Sequence, residues 1–242
     1  MRTVLLLLYI VLTLVVFGIP ALLVLVLIGL FSRSARDRAS FVVARGAMWI
    51  ACRIAGIRLT VIGRENIPTD RNAYYIANHR SYFDQFIALP LMPRPCGFLS
   101  KKEFEKIPLL SWWMKLLHCV FLNRASVRDG LKATEDMQKV LEQGISLWVS
   151  PEGTRSQQAT VLPFKEGSFR PAFRTGTPIV PVTIVNSEAV YELHKPKVKA
   201  ARVTVSFGEP IPTEGLEKSA QRALVKEIET AIQHRYEELS GK

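Results

Sequence analysis

The chain has 242 residues, enough to bury a full core in one large domain or two small ones. Its hydrophobic content of 48% and charged content of 22% fall in the globular range and argue against a disordered chain. Formal net charge is +11, from 32 basic and 21 acidic side chains, so an anionic partner is favoured: lipid headgroups, a phosphorylated substrate, an acidic carrier protein or nucleic acid.

The charge is unevenly placed, with seven Arg and one Asp in residues 1–60. No charged residue occurs from Val4 to Phe31. As helix this run spans about 42 Å, more than the roughly 30 Å hydrocarbon core of a bilayer. It also greatly exceeds the apolar stretch of a signal peptide, about 7–15 residues. Arg33, Arg36 and Arg38 follow as a stop-transfer flank, which predicts that the rest of the chain lies on the cytoplasmic face of the membrane, the inner membrane if the cell is bacterial. Gly18 and Pro20 interrupt the run, so two half-helices entering and leaving one leaflet are an alternative to one tilted span. Residues 39–56 suit an amphipathic helix, either in the headgroup zone with Arg45 and Arg53 toward phosphates or packed on the soluble domain. A membrane-anchoring segment at 1–56 and a catalytic domain at 57–242 are the expected division.

Beyond Gly56, apolar runs and helical periodicity alternate. Strands are expected at Arg58–Ile62, Ala73–Ala77, Gly97–Ser100, Cys119–Leu122, Ser146–Val149, Ile179–Val185 and Arg202–Phe207. Helices are expected at Phe83–Leu91, Leu109–Leu117, Val127–Gln143 and about Lys218–Leu239. In the third, Val127, Leu131, Met137, Val140 and Leu141 are expected to share a face; in the last, Leu224, Ile228, Ala231 and Ile232. This grammar predicts an α/β fold, an αβα sandwich on a mostly parallel or mixed sheet of about seven strands. The segment at 107–117, with Trp112, Trp113 and Lys115, fits either a buried helix or a headgroup or acyl contact.

Ligands of such sheets gather beyond the C-terminal strand ends. There the chain places His79, Lys101 with Lys102, Asn123 with Arg124, and Pro151–Arg155. Ser81 and Asp84 have the spacing of a capping box, which would open the helix at Ser81 and leave His79 in the turn. Asp84 would then orient one imidazole nitrogen and free the other as a base. The alternative is a cap and a turn histidine bonded to backbone. In 151–155, Gly153 permits a turn and Arg155 offers a fork for phosphate or carboxylate. Glu152 would orient that fork or accept a substrate hydroxyl. There is no Gly-x-Ser-x-Gly elbow, Walker loop, dinucleotide fingerprint or His-Glu-x-x-His. The pair without a Ser or Cys nucleophile suggests that histidine activates the substrate itself. Cys52, Cys96 and Cys119 have no paired spacing, which fits a reduced compartment and no disulfide or zinc site.

These residues together resemble the 1-acyl-glycerol-3-phosphate acyltransferase family, which shares its motifs with glycerol-phosphate acyltransferases. His79 and Asp84 match its His, four residues, Asp block. Phe121-Leu122-Asn123-Arg124 resembles a second block, with Asn123 where the family commonly has Asp. Pro151 to Ser156 matches the third, with Ser150 where Phe is frequent; Phe164-Lys165-Glu166-Gly167 and Pro178 to Val182 resemble later segments. The resemblance implies His79 as base oriented by Asp84. It implies Lys101, Arg124, Glu152, Gly153, Thr154, Arg155 and Lys165 around the acceptor. The donor would be an acyl thioester on coenzyme A or an acidic acyl carrier protein, with no metal and no bound cofactor. Glycerol 3-phosphate, lysophosphatidylglycerol or a lyso-aminolipid are alternative acceptors. Thioester hydrolysis and a non-enzymatic membrane or nucleic-acid binder are rival activities. Against nucleic acid, the basic excess sits beside the apolar segment and lacks interleaved aromatics.

Overall fold

The computed structural model describes residues 1–123, 126–158 and 160–241. Seven strands form one sheet: β1 (Ile57–Ile62), β2 (Tyr74–Ala77), β3 (Cys96–Lys101), β4 (Val120–Leu122), β5 (Ser146–Val149), β6 (Ile179–Val185) and β7 (Ala201–Phe207). Their order is β1-β7-β6-β2-β5-β3-β4. All neighbours run parallel except β6 and β7. Five parallel strands therefore carry a reversed pair at one edge, which is the mixed sheet expected from the sequence. β2 and β5 are buried at every position, as all-apolar runs covered on both faces must be.

Alternate side chains of each strand enter separate cores. Tyr75, Trp148, Val180 and Val182 face one layer, with Phe41, Ala51, Cys52, Ile87 and Leu89. Tyr74, Ile76, Leu147, Val149 and Ile179 face the other, with Met137, Leu141, Ala172, Leu224, Ile228 and Ile232. The first layer holds α1 (Arg2–Val11), α2 (Gly18–Phe31), α3 (Arg33–Ala55) and α4 (Asp84–Leu91), and α5 (Pro108–Leu116) also meets α2, with Trp113 beside Gly18. The second holds α6 (Val127–Glu142), α7 (Arg170–Thr175) and α8 (Lys218–Ser240).

A π-helical turn over Leu12–Phe17 joins α1 and α2 into one 30-residue apolar helix. It folds back on α3 through Ser32, whose hydroxyl accepts the Ala35 N–H as an N-cap. Tyr9 donates to the Ala47 carbonyl at 2.8 Å, and Arg2 occupies the space a side chain at Gly56 would need. Outward, Leu8, Val15, Phe17, Leu23, Leu27 and Phe31 are exposed. α3 is bound to the domain by its opposite side: Arg45 Nε donates to the Pro90 carbonyl at 3.1 Å and Cys52 Sγ to that of Phe86 at 3.2 Å. Arg45 thus serves the fold rather than reaching outward, and Arg53 lies over the Trp49 ring.

Several local expectations are corrected. The helix after β2 starts at Asp84 with Phe83 as N-cap, because the Ser81 hydroxyl accepts the Phe83 N–H instead of capping the next turn. The buried stripe of α6 is Ala133, Met137, Val140 and Leu141, at i, i+4, i+7 and i+8, and Leu131 falls off it into solvent. Ala231 is likewise exposed, while Val225 and Tyr236 join the buried face of α8. α7 carried no periodic signal, since Pro171 and six residues give less than two turns. The two tryptophans divide: Trp113 is buried against α2 beside Gly18, and Trp112 is 56% exposed.

Candidate active site

β2 ends at Ala77, and the next residue fixes the turn. Asn78 is fully buried; its amide donates to the Ile184 carbonyl at 2.9 Å and accepts the Ile184 N–H at 2.7 Å. This continues the β2–β6 pairing by one side chain and holds the chain rigid just before His79. The His79 N–H donates to Glu152 Oε1 at 2.6 Å, and the His79 carbonyl accepts the Ser156 N–H at 2.8 Å. Both backbone groups of the histidine are thereby stitched to the loop after β5.

The ring is set by Asp84. His79 Nδ1 lies 2.7 Å from Asp84 Oδ2, and the same oxygen accepts the Arg80 and Ser81 N–H groups at 2.9 and 3.0 Å. Asp84 is fully buried at the first turn of α4, where an acid complements the helix N-terminus. An acceptor-only carboxylate at that distance requires the Nδ1–H tautomer. The other ring nitrogen, Nε2, then carries a lone pair and has no partner among the described residues.

Glu152 is buried and divided between two backbone donors, His79 N–H and the Leu162 N–H at 2.9 Å. It pins the histidine turn rather than contacting the Arg155 fork. Burial pushes its carboxyl up to about 7, the two N–H groups pulling the other way. Gly153 adopts φ +73, and a side chain there would strike the Lys165 ammonium.

A cavity of 50 Å³ opens on His79, lined also by Gln85, Ser150, Gly153, Lys165 and Ser168, with Leu99 and Leu122 as its apolar wall. Thr154 and Arg155 line a neighbouring cavity of 310 Å³ with Arg80, Glu188, Glu192 and Lys195. Arg155 Nη1 lies 2.9 Å from Glu192 Oε1, and its guanidinium sits 3.6 Å from the Tyr82 ring centroid. Glu192 also accepts the Ser81 hydroxyl at 2.6 Å and the Tyr82 N–H at 2.9 Å, so it joins Arg155 to the histidine turn. Lys101, exposed at the end of β3, lines neither cavity. Arg124 lies outside the described residues. Sequence reasoning missed Asn78, Gln85 and Glu192. Asn78, a polar residue closing an apolar strand, carried a signal; Glu192, 110 residues from Tyr82, carried none.

The arrangement offers an oriented imidazole with a free lone pair, an ammonium beside it and a guanidinium in the adjoining cavity. Among the described residues, no three His, Cys, Asp or Glu side chains gather as a metal site.

A family model described as Acyltransferase matches residues 58–185. A 1-acyl-sn-glycerol-3-phosphate acyltransferase of Borreliella burgdorferi is 35% identical over 150 residues, covering 62% of this chain and 60% of that protein. One of Saccharomyces cerevisiae is 32% identical over 183 residues, covering 71% and 60% respectively. The chain thus spans about 60% of the length of these curated relatives. The crystal structure of the 1-acyl-sn-glycerophosphate acyltransferase PlsC from Thermotoga maritima superposes with a TM-score of 0.82 at 29% identity, over 99% of this chain and 98% of that one.

Proposed function

The chain belongs to the acyltransferase family, and on that footing we propose that it moves a fatty acyl group from an acyl thioester to the sn-2 hydroxyl of 1-acyl-glycerol 3-phosphate, giving phosphatidic acid. The observation that carries the reading is the 2.7 Å contact between His79 Nδ1 and the sealed Asp84 carboxylate on a ring that opens onto a cavity. His79 Nε2 takes the hydroxyl proton as the oxygen bonds to the thioester carbonyl carbon. The carbon–sulfur bond then breaks, and the imidazolium returns its proton to the departing thiolate. Asp84 holds the tautomer and supports the imidazolium while it exists. The thioester is already activated, so no acyl-enzyme is required. Lys165, with Gly153 giving it room, and Arg155 with Thr154 hold the phosphate of the acceptor. Lys101 ends β3 outside both cavities, so it takes no part in holding that phosphate.

The apolar helix of residues 2–31 seats the protein on a membrane, in one leaflet rather than across it. Thr3 Oγ1 accepts the Val198 N–H at 2.9 Å, which ties the start of the helix to the catalytic domain. Its far end returns through α3, bound to the same domain at Ser40 and Arg45. Arg33, Arg36 and Arg38 and three free cysteines favour the cytoplasmic face. The test is thiol release from acyl-coenzyme A with 1-acyl-glycerol 3-phosphate in mixed micelles. The native protein should turn over, while His79→Ala should lose a factor of about 10²–10⁴ with its melting curve unchanged. Normal turnover by His79→Ala ends the base assignment; turnover on another lysolipid alone ends the acceptor assignment.

A further inference from the structure

On the layer opposite α1–α3, α7 and the start of α8 enclose an open groove of 430 Å³. Arg170 and Arg174 line it from α7, Lys218 and Arg222 from α8. All four are exposed, and none has an ion-pair partner among the described residues. Glu166 is the one acid of this lining, so the groove carries a formal excess of three positive charges. Phe173 and Val225 form its apolar floor.

Each helix contributes its cations at i and i+4, where like charges repel and an acid would have added stability. The two repelling pairs also face each other across the groove. An anion entering the groove relieves that repulsion, and guanidinium forks match phosphate as well as carboxylate. The groove lies across the sheet from the exposed apolar helix, so it faces water and not lipid headgroups. Its volume is that of a small-molecule site, and Phe173 offers a ring for stacking. It also adjoins the histidine cavity along the chain: Lys165 and Ser168 line that cavity, and Glu166 and Arg170 line the groove.

We propose that this groove binds the phosphate-bearing nucleotide head of the acyl donor, a coenzyme thioester, while its acyl end reaches His79. The assignment deepens the acyl-transfer reading and rests on it for the identity of the donor. Two readouts separate them. The first is equilibrium binding of free coenzyme A to the full chain in detergent, which needs no turnover. The second compares an acyl-coenzyme A with the matching acyl-phosphopantetheine, which has the thioester arm but no nucleotide. In Arg174→Gln/Arg222→Gln, both surface changes, coenzyme A binding should weaken about tenfold or more, with a shallower salt dependence because only Arg170 and Lys218 remain. The donor KM should rise for acyl-coenzyme A and stay put for acyl-phosphopantetheine, with the melting curve matched to the native protein. Equal coenzyme A affinity in native and variant protein overturns the groove even if acyl transfer is normal. A KM penalty confined to an acylated acidic carrier protein overturns it too, and assigns the surface to protein docking. Salt-sensitive coenzyme A binding that the variant loses, in a protein inactive on 1-acyl-glycerol 3-phosphate, keeps the groove and removes the acceptor.

Discussion

Asp84→Asn separates what Asp84 does by shape from what it does by charge. One oxygen, Oδ2, takes the hydrogen bonds from His79, Arg80 and Ser81, while Oδ1 is buried without a partner. An asparagine can keep its oxygen at the Oδ2 position and put its amide where Oδ1 was. The opposite flip would face an NH₂ with three N–H donors. The geometry and the imidazole tautomer therefore survive, at about 1–3 kcal/mol for a buried donor with no acceptor. What disappears is the anion beside a ring that becomes positive in the transition state. Two delocalised charges whose centres are about 4 Å apart, at an effective dielectric constant of about 20, interact by about 4 kcal/mol, or roughly 10³ in rate. The expected result is thus a fall of about a thousandfold in kcat, with acceptor and donor KM within about threefold of native. Thiol release measured at saturating substrates gives kcat, and a thermal melt gives the stability cost. A variant with kcat within about threefold of native would refute the reasoning, since the charge would then contribute nothing to the chemistry.

Glu152→Gln should change the pH dependence of stability. The native carboxyl, raised to about 7 by burial, contributes stability that is full below its unfolded value of 4.5 and lost as pH rises through 7. The stability difference between native and variant should therefore shift in the variant's favour by about 3 kcal/mol between pH 4 and 8. Paired melts across that range measure it, and a constant difference refutes the burial argument. Glu192→Ala removes the acceptor shared by Ser81, Tyr82 and Arg155, so acceptor KM should rise about tenfold with a smaller effect on kcat. Unchanged acceptor KM would separate Arg155 from substrate binding. Trp112→Ala should weaken partition into anionic vesicles about tenfold, as an exposed indole on the apolar side is lost. Trp113→Ala should instead destabilise the fold by about 3–5 kcal/mol, because its ring is buried against α2. Vesicle flotation and melts distinguish the two, and equal behaviour of both variants refutes the division.

All seven strands were legible in the sequence as short apolar-rich runs bounded by breaks, the central β2 and β5 most plainly because they are apolar and buried nearly throughout. Ser146–Val149 and Ile179–Val185 fall where expected to the residue. The long helices stood out by periodicity, although which neighbour each residue meets did not: Leu131 reads as apolar yet points away from Met137 and Leu141. α7 was illegible because one and a half turns carry no period. Its place is fixed by partners distant in sequence, such as Thr213, whose hydroxyl donates to the Ala172 and Thr177 carbonyls.

The site shows the same boundary between local and distant information. His79 and Asp84 are five residues apart, so one turn and one helix start bring them together, and spacing alone suggests the contact. Glu152 and Glu192 meet the histidine turn from 73 and 110 residues away, through loops after β5 and β6. Spacing offered Glu152 a substrate or Arg155 and gave Glu192 no role. In the fold, Glu152 accepts the His79 and Leu162 N–H groups, and Glu192 accepts that of Tyr82. Asp84 takes the Arg80 and Ser81 N–H groups of a turn that stays open for substrate, and the distant Glu152 and Glu192 take those of His79 and Tyr82. The polar residues hardest to find in the sequence are for that reason the ones that hold the histidine in place.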